Sequence, residues 1–132
     1  SPLGSPMRLP VILVQNAPAG EAAYAESLVG NLIGRPGLDL TLVDRFDAIT
    51  PDSTDWMTLE GITVPSAVLD WKSPEAMMES LARIEMLGTR APHQLDRDFE
   101  PVSGTSSRRL FLFDLTEHRS AEAIMAELNR MA

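Results

Sequence analysis

The residues with the clearest chemical potential in this sequence stand where predicted strands end. The run AVLDW at Ala67 to Trp71 predicts a buried strand with Asp70 near its end. Ser73 and Pro74 directly after it predict the start of a helix. A carboxylate between a strand and a helix is placed to act as a nucleophile or as a metal ligand. Asp at such a position also stabilises turns, so Asp70 is a candidate for either a chemical or a structural role.

Polar residues also follow the other predicted strands. Gln15 and Asn16 come after the first apolar run, and Asp44 comes after the second. Ligands of open parallel sheets bind outside the carboxyl ends of the strands. The candidate crevice residues are therefore Gln15, Asn16, Trp71 and Asp114, joined by Arg109 if the domain binds a small molecule.

Missing residues exclude several kinds of chemistry. The chain has no cysteine, which excludes disulfides, thiolate metal sites and thiol catalysis. The two histidines, His93 and His118, have no metal-binding spacing, and no Gly-rich phosphate loop follows the first strand. We therefore expect no catalytic residue, no metal ion and no cofactor.

The charge of the chain bears on its partners. It has 19 acidic and 11 basic side chains, so its net charge is -8. Nucleic-acid backbones and anionic lipids are bound mainly through Lys and Arg. The longest apolar runs are far shorter than the roughly 20 residues of a membrane span. We expect neither a nucleic acid nor a membrane among the partners.

The first residues have the character of an expression tag. Residues 1–6 (SPLGSP) are typical of a vector-derived remnant, which leaves one expected domain over residues 7–132. No charged segment followed by an apolar stretch marks a signal peptide. Together with the missing cysteines, this predicts a cytoplasmic location.

Strand-like and helix-like segments alternate along the chain. Apolar runs and Gly or Pro breaks predict strands at Leu9–Val14, Leu38–Val43, Ser66–Asp70 (or from Ile62) and Arg109–Leu115, with a weak edge strand at Pro92–Leu95. Amphipathic spacing predicts helices at Glu21–Ile33, within Pro51–Gly61, from Ser73 to about Leu87, and at Ser120–Met131. This alternation predicts an α/β three-layer sandwich with a mainly parallel, flavodoxin-like sheet of about four or five strands.

Short motifs carry a resemblance to a known family. VILVQN at Val11–Asn16 is similar to its first strand, and AVLDW at Ala67–Trp71 is similar to its third strand. IEMLGTRAP at Ile84–Pro92 is similar to the end of its third helix, and Leu110–Leu115 to its fifth strand. On these motifs the chain resembles the receiver domain of two-component response regulators. The resemblance implies a bacterial signalling or regulatory protein in which Asp70 stands at the phosphate-accepting position.

The departures from the family are at its functional positions. The acidic pair that binds Mg²⁺ in receivers is replaced by neutral Gln15 and Asn16. The lysine on the fifth strand has no match, because Phe113 and Asp114 occupy that region. The resemblance therefore implies an atypical, phosphorylation-independent receiver-like domain, with Asp70 a relic of the phosphorylation site or a structural residue.

A second resemblance concerns thioredoxin-like folds. ITVPS at Ile62–Ser66 is similar to the segment before their cis-proline, and APAG at Ala17–Gly20 falls near their active-site turn. Without cysteines, only a non-catalytic adaptor of that class is implied. Such a fold has an antiparallel hairpin after the proline, whereas a helix is predicted here from Ser73.

Two classes of function follow. The receiver resemblance implies a non-catalytic signalling or protein–protein interaction module, whose partner is another protein or a second copy of the chain. Met125, Leu128 and Met131 of the last helix are candidates for that interface or for the core. The alternative is a small-molecule or metal sensor, or an enzyme domain, that uses the strand ends.

Overall fold

A computed structural model describes residues 9–62, 64–86, 89–90 and 109–131. The strands are β1 (Leu9–Val14), β2 (Leu38–Val43), β3 (Ser66–Asp70), β4 (Thr89–Arg90) and β5 (Arg109–Asp114). The helices are α1 (Ala22–Leu32), α2 (Thr54–Glu60), α3 (Pro74–Arg83) and α4 (Ala121–Met131), with a 3-10 turn at Phe46–Ala48. Helices pack on both faces of one sheet, which confirms the predicted three-layer α/β class.

The sheet has the strand order β2-β1-β3-β5-β4, and each neighbouring pair is parallel. The order agrees with the flavodoxin-like order 2-1-3-4-5 over β2, β1 and β3, and the last two strands exchange places. Val14 pairs in register with Val43, and Asp70 with Asp114. We call the edge marked by these four residues the carboxyl edge of the sheet.

Parallel pairing around β3 does not fit the thioredoxin-like alternative. β3 begins directly after Pro65, pairs in parallel with β1 and β5, and leads into α3. A thioredoxin-like sheet has an antiparallel hairpin at this point. The short ITVPS motif is therefore a local similarity without the corresponding fold.

The core has two halves, one on each face of the sheet. Side chains alternate along a strand, so Val11 and Leu13 of β1 face α1 and α4, whereas Ile12 and Val14 face the opposite side. The first half contains Leu28, Leu32, Ala67, Leu69, Phe113, Ile124 and Leu128. The second half contains Phe46, Leu59, Val68, Met77, Leu81, Leu110 and Leu112. Burial on both faces explains why β1 and β3 are nearly continuous apolar runs.

Two predicted helix starts have the expected capping geometry. Ser53 Oγ accepts the Trp56 N–H at 3.2 Å at the start of α2. Ser73 Oγ accepts the Ala76 N–H at 3.2 Å at the start of α3, where Pro74 is the first helical residue. These contacts satisfy backbone donors that have no partner within the helix.

The end of α3 differs from the prediction. The helix ends at Arg83 and does not continue to Leu87. Glu85 has a φ of 61°, its N–H donates to Ala82 O at 3.0 Å, and the Met86 N–H donates to Leu81 O at 2.9 Å. This is a Schellman ending with Glu in the left-handed position that Gly usually takes. Met86 and Leu81 share the same buried cluster, and that contact ends the helix before Gly88.

Some predictions fall outside the described residues. The predicted edge strand at Pro92–Leu95 is among them, while the two-residue β4 pairs with the start of β5. Within the described residues, no helix is long and apolar enough to cross a membrane.

Candidate functional site

Asp70 ends β3 and is only 5% exposed. Its Oδ1 accepts a hydrogen bond from the Trp71 backbone N–H at 2.6 Å, and its Oδ2 lies 3.7 Å from Lys72 Nζ. Lys72 Nζ in turn donates to Ser80 Oγ at 2.5 Å. Burial raises the pKa of the Asp70 carboxyl group, and the Trp71 N–H and Lys72 partly offset that shift. The carboxylate thus stabilises the turn that leads from β3 to α3.

Asp114 ends β5 beside Asp70 and has a similar local role. It is 6% exposed, and its Oδ1 accepts hydrogen bonds from Thr116 N at 2.9 Å and Thr116 Oγ1 at 2.6 Å. Its backbone oxygen accepts the His118 N–H at 3.0 Å. The side chain therefore holds the turn between β5 and α4.

Trp71 joins the ends of two neighbouring strands. Its indole Nε1–H donates to the backbone oxygen of Val14 at 2.9 Å, so the ring reaches from β3 to the end of β1. The indole also contacts the Tyr24 ring edge to face, with the centroids 5.9 Å apart and an angle of 83° between the planes. Such a pair stabilises by about 0.5–1.5 kcal/mol beyond the burial of its area.

Polar contacts hold Tyr24 against the indole. The Tyr24 hydroxyl donates to the backbone oxygen of His118 at 2.5 Å, and the Arg119 guanidinium lies 5.2 Å from the centre of its ring. Arg119 also forms an ion pair with Glu21, the residue before α1. Burial raises the pKa of the Tyr24 hydroxyl. We call Tyr24, Trp71 and Arg119 the aromatic cluster.

The aromatic cluster covers the part of the carboxyl edge where ligands of such sheets usually bind. Ligands bind where neighbouring strands are connected in opposite directions. Here that point lies between β1, which connects through α1 to β2, and β3, which connects through α3 to the other side. The Trp71 indole spans this junction through its hydrogen bond to Val14. The chain's own side chain therefore occupies one side of this junction.

A small crevice remains on the other side of Asp70. Its volume is about 150 Å³, and it is lined by Val14, Asn16, Arg45, Phe46, Asp47, Asp70 and Lys72. Pockets for drug-sized ligands typically measure about 300–1,000 Å³. The lining contains as many basic as acidic side chains, and Asp47 also pairs with Arg83 at 2.8 Å. Within the described residues, no three His, Asp or Glu side chains lie together as a metal site.

A much larger groove runs along α1. Its volume is about 730 Å³, and Leu13 lies at its floor near the end of β1. One wall is a single stripe of α1, formed by Ala22, Ala25, Glu26, Val29 and Gly30. The rest of the lining comes from the strand ends, namely Gln15, Asn16, Ala17 and Asp44. We call this space the α1 groove.

The structure separates the predicted crevice residues. Asn16 lines both the small crevice and the α1 groove, whereas Gln15 lines only the groove and Trp71 covers the β1–β3 junction. Asp114 lines neither space. Arg109 was expected in the crevice, and this is wrong: it begins β5, about 16 Å of strand away from Asp114. A strand's two ends lie on opposite edges of the sheet, so Arg109 is remote from the carboxyl edge.

The predicted interface residues are largely core. Met125 is 5% exposed and Leu128 is fully buried, both against the first half of the core. Met131 is partly exposed and packs against the same cluster. Of the two predicted roles, interface or core, their burial favours the core.

The α1 groove was not identified from the sequence. The spacing of its stripe, at positions 22, 25, 26, 29 and 30, is that of one helical face, and its members are mostly small. Residue type does not separate that face from the buried face at Leu28 and Leu32, because both contain apolar residues and Ala25 is buried with them. Which of these two faces of α1 is covered depends on which strands lie beside the helix in the folded sheet.

No family model matches this chain, and no curated protein or solved structure matches it either.

Proposed function

We propose that this domain is a non-catalytic signalling or protein–protein interaction module with a phosphorylation-independent, receiver-like fold. The observation that carries the proposal is the Trp71 indole, which spans the β1–β3 junction and donates to Val14 O at 2.9 Å. A ligand on the indole's side of this junction would have to displace this ring and its hydrogen bond.

The hydrogen bonds of Asp70 and Asp114 support the same proposal. Asp70 accepts from the Trp71 N–H, and Asp114 accepts twice from Thr116, so both carboxylates stabilise the turns that follow their own strands. Lys72, the cation next to Asp70, contacts Ser80. Phosphoryl transfer depends on positioned cations around the reacting group. The arrangement at Asp70 is that of a structural cap.

The neutral end of β1 adds to this argument. Gln15 and Asn16 are exposed, and their backbone N–H groups continue the pairing with β2 through Val43 O and Asp44 O. Amide side chains are weaker ligands than carboxylates for an octahedral Mg²⁺ ion. With no acidic pair at this position, a receiver-like phosphorylation site lacks its metal ligands.

The second candidate function is a sensor or enzyme that uses the small crevice. The observation that favours it is the buried carboxylate of Asp70, which lines that crevice together with Lys72. The volume of about 150 Å³ admits an ion or a few water molecules. This function predicts stabilisation by a divalent cation or a small anion.

Phosphorylation and ligand binding distinguish the two candidates. The protein is incubated with acetyl phosphate and Mg²⁺, and its intact mass is measured beside that of Asp70→Asn. We expect no added phosphoryl mass, and no change in melting temperature with divalent cations, nucleotides or flavins. A phosphoryl adduct that is absent from Asp70→Asn, or a clear melting shift, would overturn the proposal in favour of the sensor or enzyme.

A further inference from the structure

The α1 groove is open because of the residues on its helical wall. The stripe carries two alanines and a glycine, and a Cβ placed on Gly30 would have no atom within 4 Å. The stripe spans eight residue steps, or about 12 Å along the helix axis. That length corresponds to about two turns of a second helix laid alongside.

The apolar surface extends beyond the groove. Ile33 continues the spacing of Val29 and Gly30, and it is 63% exposed. On the neighbouring edge strand β2, Leu40 and Leu42 are only partly buried against the same half of the core. On the other side α1 contacts α4, and α1 and α4 are the only helices among the described residues that contribute to this half of the core. This surface has the composition of a helix-packing face without a helix on it.

The charges that line the groove indicate what kind of partner it can bind. The charged side chains that line it are Glu26 and Asp44, both exposed acids. A second copy of this chain would bring its own net charge of -8 against them. The groove is therefore complementary to a basic partner, and its helical wall favours a helix over an extended segment.

We infer that the α1 groove docks one amphipathic helix from a basic partner protein. The apolar side chains of that helix lie over Ala22 and Gly30, exposed positions whose small size leaves room for close approach. Its Lys or Arg residues reach Glu26 and Asp44 at the carboxyl edge. This inference rests on the proposed function as an interaction module and adds the chemical class of the partner.

The test uses a phage-displayed library of amphipathic helices of about four turns, selected on the full chain. Their flanking positions vary among Lys, Arg, Glu, Asp and Gln. Gly30→Leu fills the groove from a helical position with open space around it, and Gly30→Ala is the matched control that barely fills it. Glu26→Lys reverses a charge in the groove, and its control is Glu79→Lys on the exposed surface of α3, across the sheet.

We expect the selected helices to be enriched in Lys and Arg. Their affinity should fall at least about tenfold on Gly30→Leu and on Glu26→Lys, which corresponds to about 1.4 kcal/mol. It should stay within about twofold on Gly30→Ala and Glu79→Lys, because neither change fills the groove or alters its charge. Circular dichroism and the melting temperature of each variant establish that it is folded.

Three results of the selection would overturn the inference. They are a failure to select any helix, selected helices without an excess of Lys and Arg, and binding that is unchanged by Gly30→Leu. Helices that bind Gly30→Leu undiminished would place the interaction surface elsewhere and leave the proposed function standing. A wild-type dimer that Gly30→Leu dissociates in sedimentation would assign the groove to a second copy and overturn the basic partner. The proposed function itself fails only on phosphorylation or ligand binding, which are measured separately.

Discussion

Two neighbouring regions of the carboxyl edge differ in what fills them. At the β1–β3 junction, the Trp71 indole spans the gap and is held by Tyr24. Beside it, the α1 groove is walled by small residues and keeps a volume of about 730 Å³. The carboxylates of Asp70 and Asp114 lie beside the filled region, whereas the space for a partner lies in the open one. Side-chain size, more than the placement of acids, separates the two regions.

The largest expected effect comes from opening the filled region. Trp71→Ala removes the indole, its hydrogen bond to Val14 O and its contact with Tyr24. We expect a loss of about 3 kcal/mol in the free energy of unfolding, measured by urea denaturation. The control is Trp71→Phe, which keeps a ring and loses the hydrogen bond, at a cost of about 1 kcal/mol. Equal losses in the two variants would show that the indole does not fill the junction.

A smaller effect is expected at the neighbouring strand end. Asp114→Ala removes the acceptor of two hydrogen bonds from Thr116 and should lower the free energy of unfolding by about 1.5 kcal/mol. Asp114→Asn keeps an oxygen at the same place and should cost less than half of that. Both variants lose the negative charge, and only Asp114→Ala loses the acceptor oxygen. Equal losses of unfolding free energy in chemical denaturation would therefore mean that the charge, and not only the hydrogen bonds, stabilises this turn.

In the open region, at the α1 groove, we expect a substitution that raises the free energy of unfolding. Gly30 lies inside α1 with open space around its Cα, so Gly30→Ala should stabilise the protein by about 0.5–1 kcal/mol. Gly34, just after the same helix, has a φ of 71° and provides the contrast. Gly34→Ala should destabilise by about 1 kcal/mol, because a Cβ is strained in that conformation. Thermal unfolding of the pair checks both signs, and a destabilised Gly30→Ala would mean that the groove wall is packed.

The sequence predicted the elements well because their signals are local. β1 and β2 follow from short apolar runs, and Ser73 with Pro74 marks the start of α3. The end of α3 was not predictable in this way. Its cap places Glu85 where Gly is expected, and the burial of Met86 beside Leu81 depends on the packed core.

The candidate site was predicted only in part, because the rest of it depends on tertiary contacts. Asp70 and Asn16 were placed correctly at the carboxyl edge, since the direction of a parallel strand is enough to locate its end. Residue type alone favours Arg109 as a site residue, but its position at the start of β5 places it at the opposite end of the strand from Asp114. The Trp71 contact and the open side of α1 depend on which strands are neighbours, and that order is not written in any single segment.

The smallest expected effect is a pH dependence at Asp70, which lies beside the filled region. Burial raises the pKa of its carboxyl group in the folded protein above the ordinary value of 3.8. The folded state then binds this proton more readily than the unfolded chain, so the group adds stability as the pH falls through its folded pKa. Asn cannot titrate and keeps an oxygen for the Trp71 N–H. At neutral pH, Asp70→Asn should therefore be as stable as the wild type or slightly more stable.

Urea denaturation of both proteins from neutral pH down through the carboxyl range checks this expectation. The advantage of Asp70→Asn should shrink as the pH falls through the raised pKa and approach its limit below the ordinary Asp value. Asp52→Asn, which makes the same substitution at an exposed position, serves as the matched control. An advantage that grows on acidification would mean that Lys72 stabilises the charged Asp70 more than burial disfavours it. Asp70 would then be an ionised carboxylate held beside Lys72. This result would favour the sensor or enzyme function that uses the small crevice.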